Sequence, residues 1–269
     1  MPLPAALPRL IATDLDGTLL GRDGTISART QRTLERVRAA GIELVMVTGR
    51  PPRHVAKIDG AVALGGVVIC VNGALIYDLD RRLVLREARL SAGVARELVN
   101  ALRLRLPGIC FAVEVGLEFG WEPSYGLHSK RTEPPQLPIA DALALCEHGV
   151  NKLIARHPQF SAEEMLQHLH DLWLTRAHAS HSGAPFVEIS AAEASKGAAL
   201  AAYCAERNID QRAVLAFGDM PNDLPMLEWA GHSVAMANAH PSVLAAVHEV
   251  TLSNEADGVA TVLERLFPG

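Results

Sequence analysis

Aromatic residues are scarce in this chain: three Trp, three Tyr and six Phe make up 4% of its 269 residues. Ala, Leu and Val supply the apolar share instead, which favours helices packed on an aliphatic sheet over an all-β sandwich. Cysteine is also sparse. Cys70, Cys110, Cys146 and Cys204 lie far apart and form no CxxC pair. That argues against a zinc site or a disulfide framework and leaves reduced, structural thiols as the default. No run of Lys and Arg occurs, and the formal net charge is −5. Neither nucleic acid nor an anionic membrane surface has an electrostatic footprint to meet. No stretch of 18 apolar residues is present, and Arg9 and Asp14 interrupt the apolar N-terminus. Neither a membrane span nor a signal peptide is expected, so the expected location is cytoplasmic.

What is present suits a globular fold. Apolar residues reach 49% and charged residues 20%, a balance with ample material for a core. The length fits one large domain or two ordinary ones.

Residues 9–13 (RLIAT) read as a short buried strand. Residues 27–41 read as a helix, capped by Ser27, with Leu34 and Val37 inward and Gly41 at its end. The nearly continuous apolar run 42–49 suits a parallel strand buried on both faces. Prolines open 51–58 as a first helical turn. Residues 66–78 give a third strand and an Asn-Gly turn signal. This alternation predicts a parallel α/β sheet. Between about 83 and 187 it changes. Strands at 110–115 and 151–157 interleave with helices at 91–106 and 161–174, and 122–139 is rich in proline and polar residues. After 187 the rhythm returns: helix 195–208, strand 213–219, helix 223–231, strand 233–236 and a helix near 241–247. The expected architecture is a doubly wound, Rossmann-like parallel α/β core built from residues 1–82 and 188–269, with an inserted α+β domain at 83–187. Such an insertion is tolerated where the ends of a surface loop lie close together.

Four short clusters fall at the ends of these α/β elements. Asp14 and Asp16 follow the first strand in DLDGT, Thr48 and Gly49 follow the second in VTGR, Lys196 opens a helix in SKG, and Asp219, Asn222 and Asp223 follow a later strand in GDMPND. In a doubly wound sheet the carboxyl ends of central strands converge on one crevice. Carboxylates from two such ends, joined by Thr48 and Lys196, make a site for a hard cation and an anion. Oxygen ligands of this kind suit Mg²⁺. Two carboxylates two positions apart repel unless a cation or a reaction uses them. The chain holds its own control: DLD recurs at 78–80, followed by Arg-Arg instead of Gly-Thr, and reads there as a turn between short strands.

The four motifs, in this order and at strand ends, resemble the haloacid dehalogenase-like hydrolase superfamily. The insert is similar to its C2-type cap, and the tail VAMANAHPSV…SNEADGVATVLERL is similar to the Cof-type branch. The resemblance covers both core segments and is only general within the insert. It implies a Mg²⁺-dependent phosphatase that hydrolyses small phosphorylated metabolites, sugar phosphates or phosphorylated cofactors, through an aspartyl phosphate. It implies Asp14 as nucleophile and metal ligand. Asp16 would be the general acid and base, its carbonyl also meeting the metal. Thr48, Gly49, Asn222 and Leu15 would bind the phosphate, with Lys196 as the neutralising cation. Asp219 would ligate the metal, and Asp223 would orient a water on it. The implied partner is a small-molecule phosphate monoester, with no nucleic acid and no membrane.

Two other functions share these motifs. A phosphosugar mutase of the phosphomannomutase kind would pass the phosphoryl group to a sugar. A non-catalytic phosphometabolite-binding protein would bind without turnover, but no named catalytic position is substituted here. Within the insert, Tyr125 and Lys130 are candidates for choosing the leaving group, although core packing and solvent exposure are their stronger readings. His168, His170, His178 and His181 read as solvated histidines.

Overall fold

The computed structural model describes residues 7–58, 60, 66–128, 134–169, 172 and 176–268. The first part of the chain contributes strands β1 (Leu10–Thr13), β2 (Glu43–Val47), β3 (Val67–Cys70), β4 (Leu75–Asp78) and β5 (Leu83–Glu87). The middle contributes β6 (Cys110–Val115), β7 (Glu118–Trp121), β8 (Lys152–Arg156), β9 (Ala177–Ser180) and β10 (Val187–Ala191). The last part contributes β11 (Val214–Gly218), β12 (His232–Ala235) and β13 (Glu249–Val250). Two sheets result, one in the order β13-β12-β11-β1-β2-β3-β4-β5 and the other β7-β6-β8-β10-β9.

The first sheet is parallel from β13 to β3. Parallel sheets are normally covered by helices on both faces, and the strands read accordingly: β1 and β11 are buried along their whole length. The parallel run ends at β4, which returns antiparallel beside β3. Helices form where local signals allow. Ser27 accepts a hydrogen bond from Thr30 N–H at the start of the helix Ala28–Ala39, whose Leu34 and Val37 are buried. A serine cap of this kind contributes about 1 kcal/mol. The core gathers Leu10, Val45 and Ile69 from the strands with Leu200, Tyr203, Met226 and Leu227 from two helices.

Two compact units emerge, one comprising Met1–Leu85 with Lys196–Gly269 and the other Arg86–Ser195. The second junction therefore lies beyond position 187, because β10 pairs antiparallel with both β8 and β9 and so belongs to the second sheet. In that unit the proline- and polar-rich stretch 122–139 contains a helix, Pro123–His128. Tyr125 is 1% exposed and packs with Cys110, Ala112, Phe119 and Ile154, which is its core reading. Lys130 and His170 lie outside the described residues. His168 is exposed and meets the Phe160 ring edge-on. His178 and His181 depart from the solvated reading: the first is half-buried, with burial lowering its pKa, and the second is buried.

All four cysteines are free and buried. Burial pushes the thiols of Cys110, Cys146 and Cys204 up to about 11, so they stay protonated and inert. Among the described residues no helix is long and apolar enough to cross a membrane.

Candidate active site

Asp14 is the first residue past β1, Thr48 the first past β2 and Asp219 the first past β11. The three strands are parallel neighbours, with Thr13 level with both Phe217 and Met46, so their ends lie side by side. The chain runs outward from β1 to β2 and β3, then re-enters on the other side at β11. The boundary between β1 and β11 is thus the topological switch point, where such sheets open a crevice.

One cation ties this crevice together. Lys196 opens the helix Lys196–Glu206, and its Nζ donates to Asp14 Oδ1 at 2.5 Å and to Asp223 Oδ1 at 2.6 Å. The other oxygen of Asp223 accepts from the N–H groups of Asp219 at 2.9 Å and Met220 at 3.0 Å. Asp219 in turn accepts from Thr18 Oγ1 at 2.8 Å. Two glycines permit these approaches. Gly17 has φ +80°, and a Cβ on it would lie 2.3 Å from Asp219 Oδ2. A Cβ on Gly197 would lie 2.1 Å from the carbonyl oxygen of Pro225, so glycine lets two helices close beside the lysine.

Asp14, Asp219 and Asp223 each offer an oxygen within 4.8 Å of the others, and all three are buried. Three carboxylates face one ammonium, an excess of negative charge away from water. The titration of the group reflects it. Burial raises Asp14 well above the usual carboxylate range, opposed by Lys196 and reinforced by Asp223 and Asp219. Burial, with the charge of Asp223, pushes Asp219 up to about 7. Burial also disfavours the Lys196 ammonium, but Asp14 and Asp223 more than offset this and hold its pKa above the ordinary value. A divalent cation fits this donor set: hard oxygens, close together, carrying more charge than the lysine balances.

The remaining residues named from sequence are placed as follows. Thr48 is fully buried, and its hydroxyl accepts from Arg50 N–H at 3.1 Å, leaving its own proton to donate. Gly49 follows it, half-buried. The Leu15 side chain is fully buried, and its carbonyl accepts from the N–H groups of Thr18, Leu19 and Leu20. Any contact it makes with a ligand falls to its own amide. Asn222 is buried, and its Nδ2 donates to Asn72 Oδ1 at 3.1 Å while its Oδ1 has no partner. Asp16 stands apart from the carboxylate group. Its side chain is 51% exposed, and both its oxygens are taken by Arg50.

Thr18, Arg50 and Asn72 were not singled out from sequence. Arg50 stood in view as the last letter of VTGR. Asn72 gave only a turn signal, which its φ of 55° honours.

A sequence model of haloacid dehalogenase-like hydrolases matches residues 11–263, and the chain belongs to that family. It is 31% identical to the pyridoxal phosphate phosphatase YbhA of Escherichia coli K12, over 94% of this chain and 96% of that protein. It is 27% identical to the 5-amino-6-(5-phospho-D-ribitylamino)uracil phosphatase YitU of Bacillus subtilis 168, over 97% and 98%. Among solved structures it is similar to BT1666 of Bacteroides thetaiotaomicron, from work on phosphatases of the haloalkanoate (HAD) enzyme superfamily. That match has a TM-score of 0.82 and 26% identity, covering 98% of this chain and 97% of the other.

Proposed function

We propose that this chain is a Mg²⁺-dependent phosphatase that hydrolyses small phosphorylated metabolites through an aspartyl phosphate. The observation that carries this reading is the buried Asp14–Asp219–Asp223 group closed by Lys196. The phosphatases it is similar to act on a phosphorylated cofactor and a phosphorylated ribityl compound, by their names, and a small phosphate ester is the substrate class proposed here.

Asp14 and Asp219, with the Asp16 carbonyl, would hold the cation and Asp223 would orient a water on it; the cation when bound offsets the charge of the phosphoryl oxygens. The side chains divide the rest. An oxygen of Asp14 attacks phosphorus, and the bond to the leaving oxygen breaks as that oxygen takes a proton from Asp16. Asp16, now a carboxylate, takes a proton from water as the water oxygen attacks the acylated phosphorus. Phosphate leaves and Asp14 is regenerated. Lys196 keeps Asp14 oriented and reduces its repulsion toward an anionic ester. The Thr48 hydroxyl, the amides of Leu15 and Gly49 and, once its amide is turned, Asn222 bind phosphoryl oxygens. Phosphoryl transfer gains most from such positioning and charge. Four buried free thiols suit a reducing compartment such as the cytoplasm.

The test is product analysis on a panel of phosphorylated metabolites with Mg²⁺. Free phosphate that disappears with chelator is the expected result. An isomerised sugar phosphate without free phosphate would replace hydrolysis by mutase chemistry, and binding without turnover across the panel would remove catalysis.

A further inference from the structure

The two carboxylates of DLDGT have different counter-ions. Asp14 is buried against Lys196, whereas the Asp16 side chain is half exposed and meets a second cation. Arg50 Nε donates to Asp16 Oδ2 at 2.7 Å, and an Arg50 terminal nitrogen donates to Asp16 Oδ1 at 2.5 Å. This is a fork-to-fork pair, and it fixes the plane of the carboxylate as well as its place.

Arg50 is built to hold still. Its N–H donates to Thr48 Oγ1 and its carbonyl accepts from Val71 N–H at 3.1 Å. Pro51 follows, which keeps the residue before it extended. Its side chain is 32% exposed, against 51% for Asp16. A less exposed guanidinium, carried on an anchored backbone, therefore holds a carboxylate that its own turn leaves in solvent.

We infer that Arg50 is a positioning residue for the proton transfers of Asp16, an inference that rests on the acid–base role proposed for Asp16. A group that first gives a proton to the leaving oxygen and later takes one from water must stay at one place through both steps. Each carboxylate oxygen has two lone pairs, so one can accept from the guanidinium while the other carries or receives the proton. Lysine cannot replace this: one ammonium cannot hold both oxygens in a plane.

The discriminating measurement is kcat/KM on p-nitrophenyl phosphate, whose leaving group needs no proton, and on benzyl phosphate, whose leaving alkoxide does. General acid catalysis contributes about 10²–10⁴-fold. Arg50→Ala is therefore expected to lose at least about tenfold more on benzyl phosphate than on p-nitrophenyl phosphate, and this excess loss should vanish in an Asp16→Asn background. Arg50→Lys should recover only part. Equal losses on both esters, or an excess loss that persists without Asp16, would place Arg50 on the phosphate itself and overturn the inference. If Arg50→Ala does not fold, Arg50→Gln takes its place in the same comparison. Wild-type protein inactive on both esters with Mg²⁺ would instead overturn the phosphatase reading, and this inference with it.

Discussion

Lys196 and Asp223 form an ion pair at 2.6 Å with neither side chain exposed to solvent. Breaking a buried pair by removing one partner strands the other charge, at a cost of about 3–5 kcal/mol. In Lys196→Met three carboxylates would face one another without a cation. The expected outcome is a stability loss of about that size in urea titrations without divalent metal. Added Mg²⁺ should restore part of it. A loss under about 1 kcal/mol, in the range of an exposed pair, would remove Lys196 as the compensating charge.

Asp14→Asn keeps the shape of the side chain and removes the attack on phosphorus proposed for it. The variant should fold, by circular dichroism, and lose at least about a thousandfold in kcat on p-nitrophenyl phosphate, as enzymes without their nucleophile do. Well-folded Asp14→Asn protein with wild-type rates would eliminate the covalent route.

Asp219 gives the site a pH dependence whose sign can be worked out. An unfolded aspartate loses its proton near 3.9, whereas burial and the charge of Asp223 keep it on folded Asp219 up to about 7. Between these values the folded state holds the extra proton. Without metal, stability therefore falls as pH rises from about 4 to about 7 and levels off above. A metal ion must displace that proton, so Asp219 should strengthen Mg²⁺ affinity by up to about tenfold per pH unit below 7 and add no further dependence above. Calorimetric titration on both sides of that pH checks this. An affinity constant across the range would show that Asp219 binds no metal.

Gly17→Ala places a methyl group 2.3 Å from Asp219 Oδ2 on a backbone at φ +80°. The strain of a non-glycine residue there is of order 1–3 kcal/mol, and Asp219 must also move. Thermal melts should show a lower Tm and a smaller rise on adding Mg²⁺. An unchanged response to Mg²⁺ would separate Asp219 from the metal.

The core of this fold is legible because its strands are short apolar runs that end in charge. Asp14, Thr48 and Asp219 each follow the last residue of a buried strand, and the capping serine at 27 marks its helix. The repeated DLD spelling divides as its neighbours suggest. Asp78 Oδ1 accepts from the N–H groups of Asp80 and Arg81 and makes a turn, whereas the DLDGT copy continues into Thr18, which reaches Asp219. The rest lies in contacts that spacing does not encode. Asn72 meets Asn222 from 150 positions away, and Arg50 meets Asp16 from 34. The helix carrying Tyr125 is hard to read from sequence because proline and polar residues surround this buried side chain. The second junction falls after β10 and not at 187 because VEISA pairs with β8 and β9, a contact that sequence spacing does not encode.

Thr18 and Asp219 are 201 positions apart in sequence, and this separation sets an order in time. At a synthesis rate of about 5–20 residues per second, roughly 10–40 s pass between the emergence of β1 and that of β11. During that interval one edge of β1 has no partner, and its unpaired N–H and C=O groups are open to any other strand nearby. A nascent chain ending before residue 219 holds Asp14, the proposed nucleophile, without the aspartates that face it. On the proposed mechanism hydrolysis can begin only once Asp219 and Asp223 have been made, and a product truncated before them would lack it.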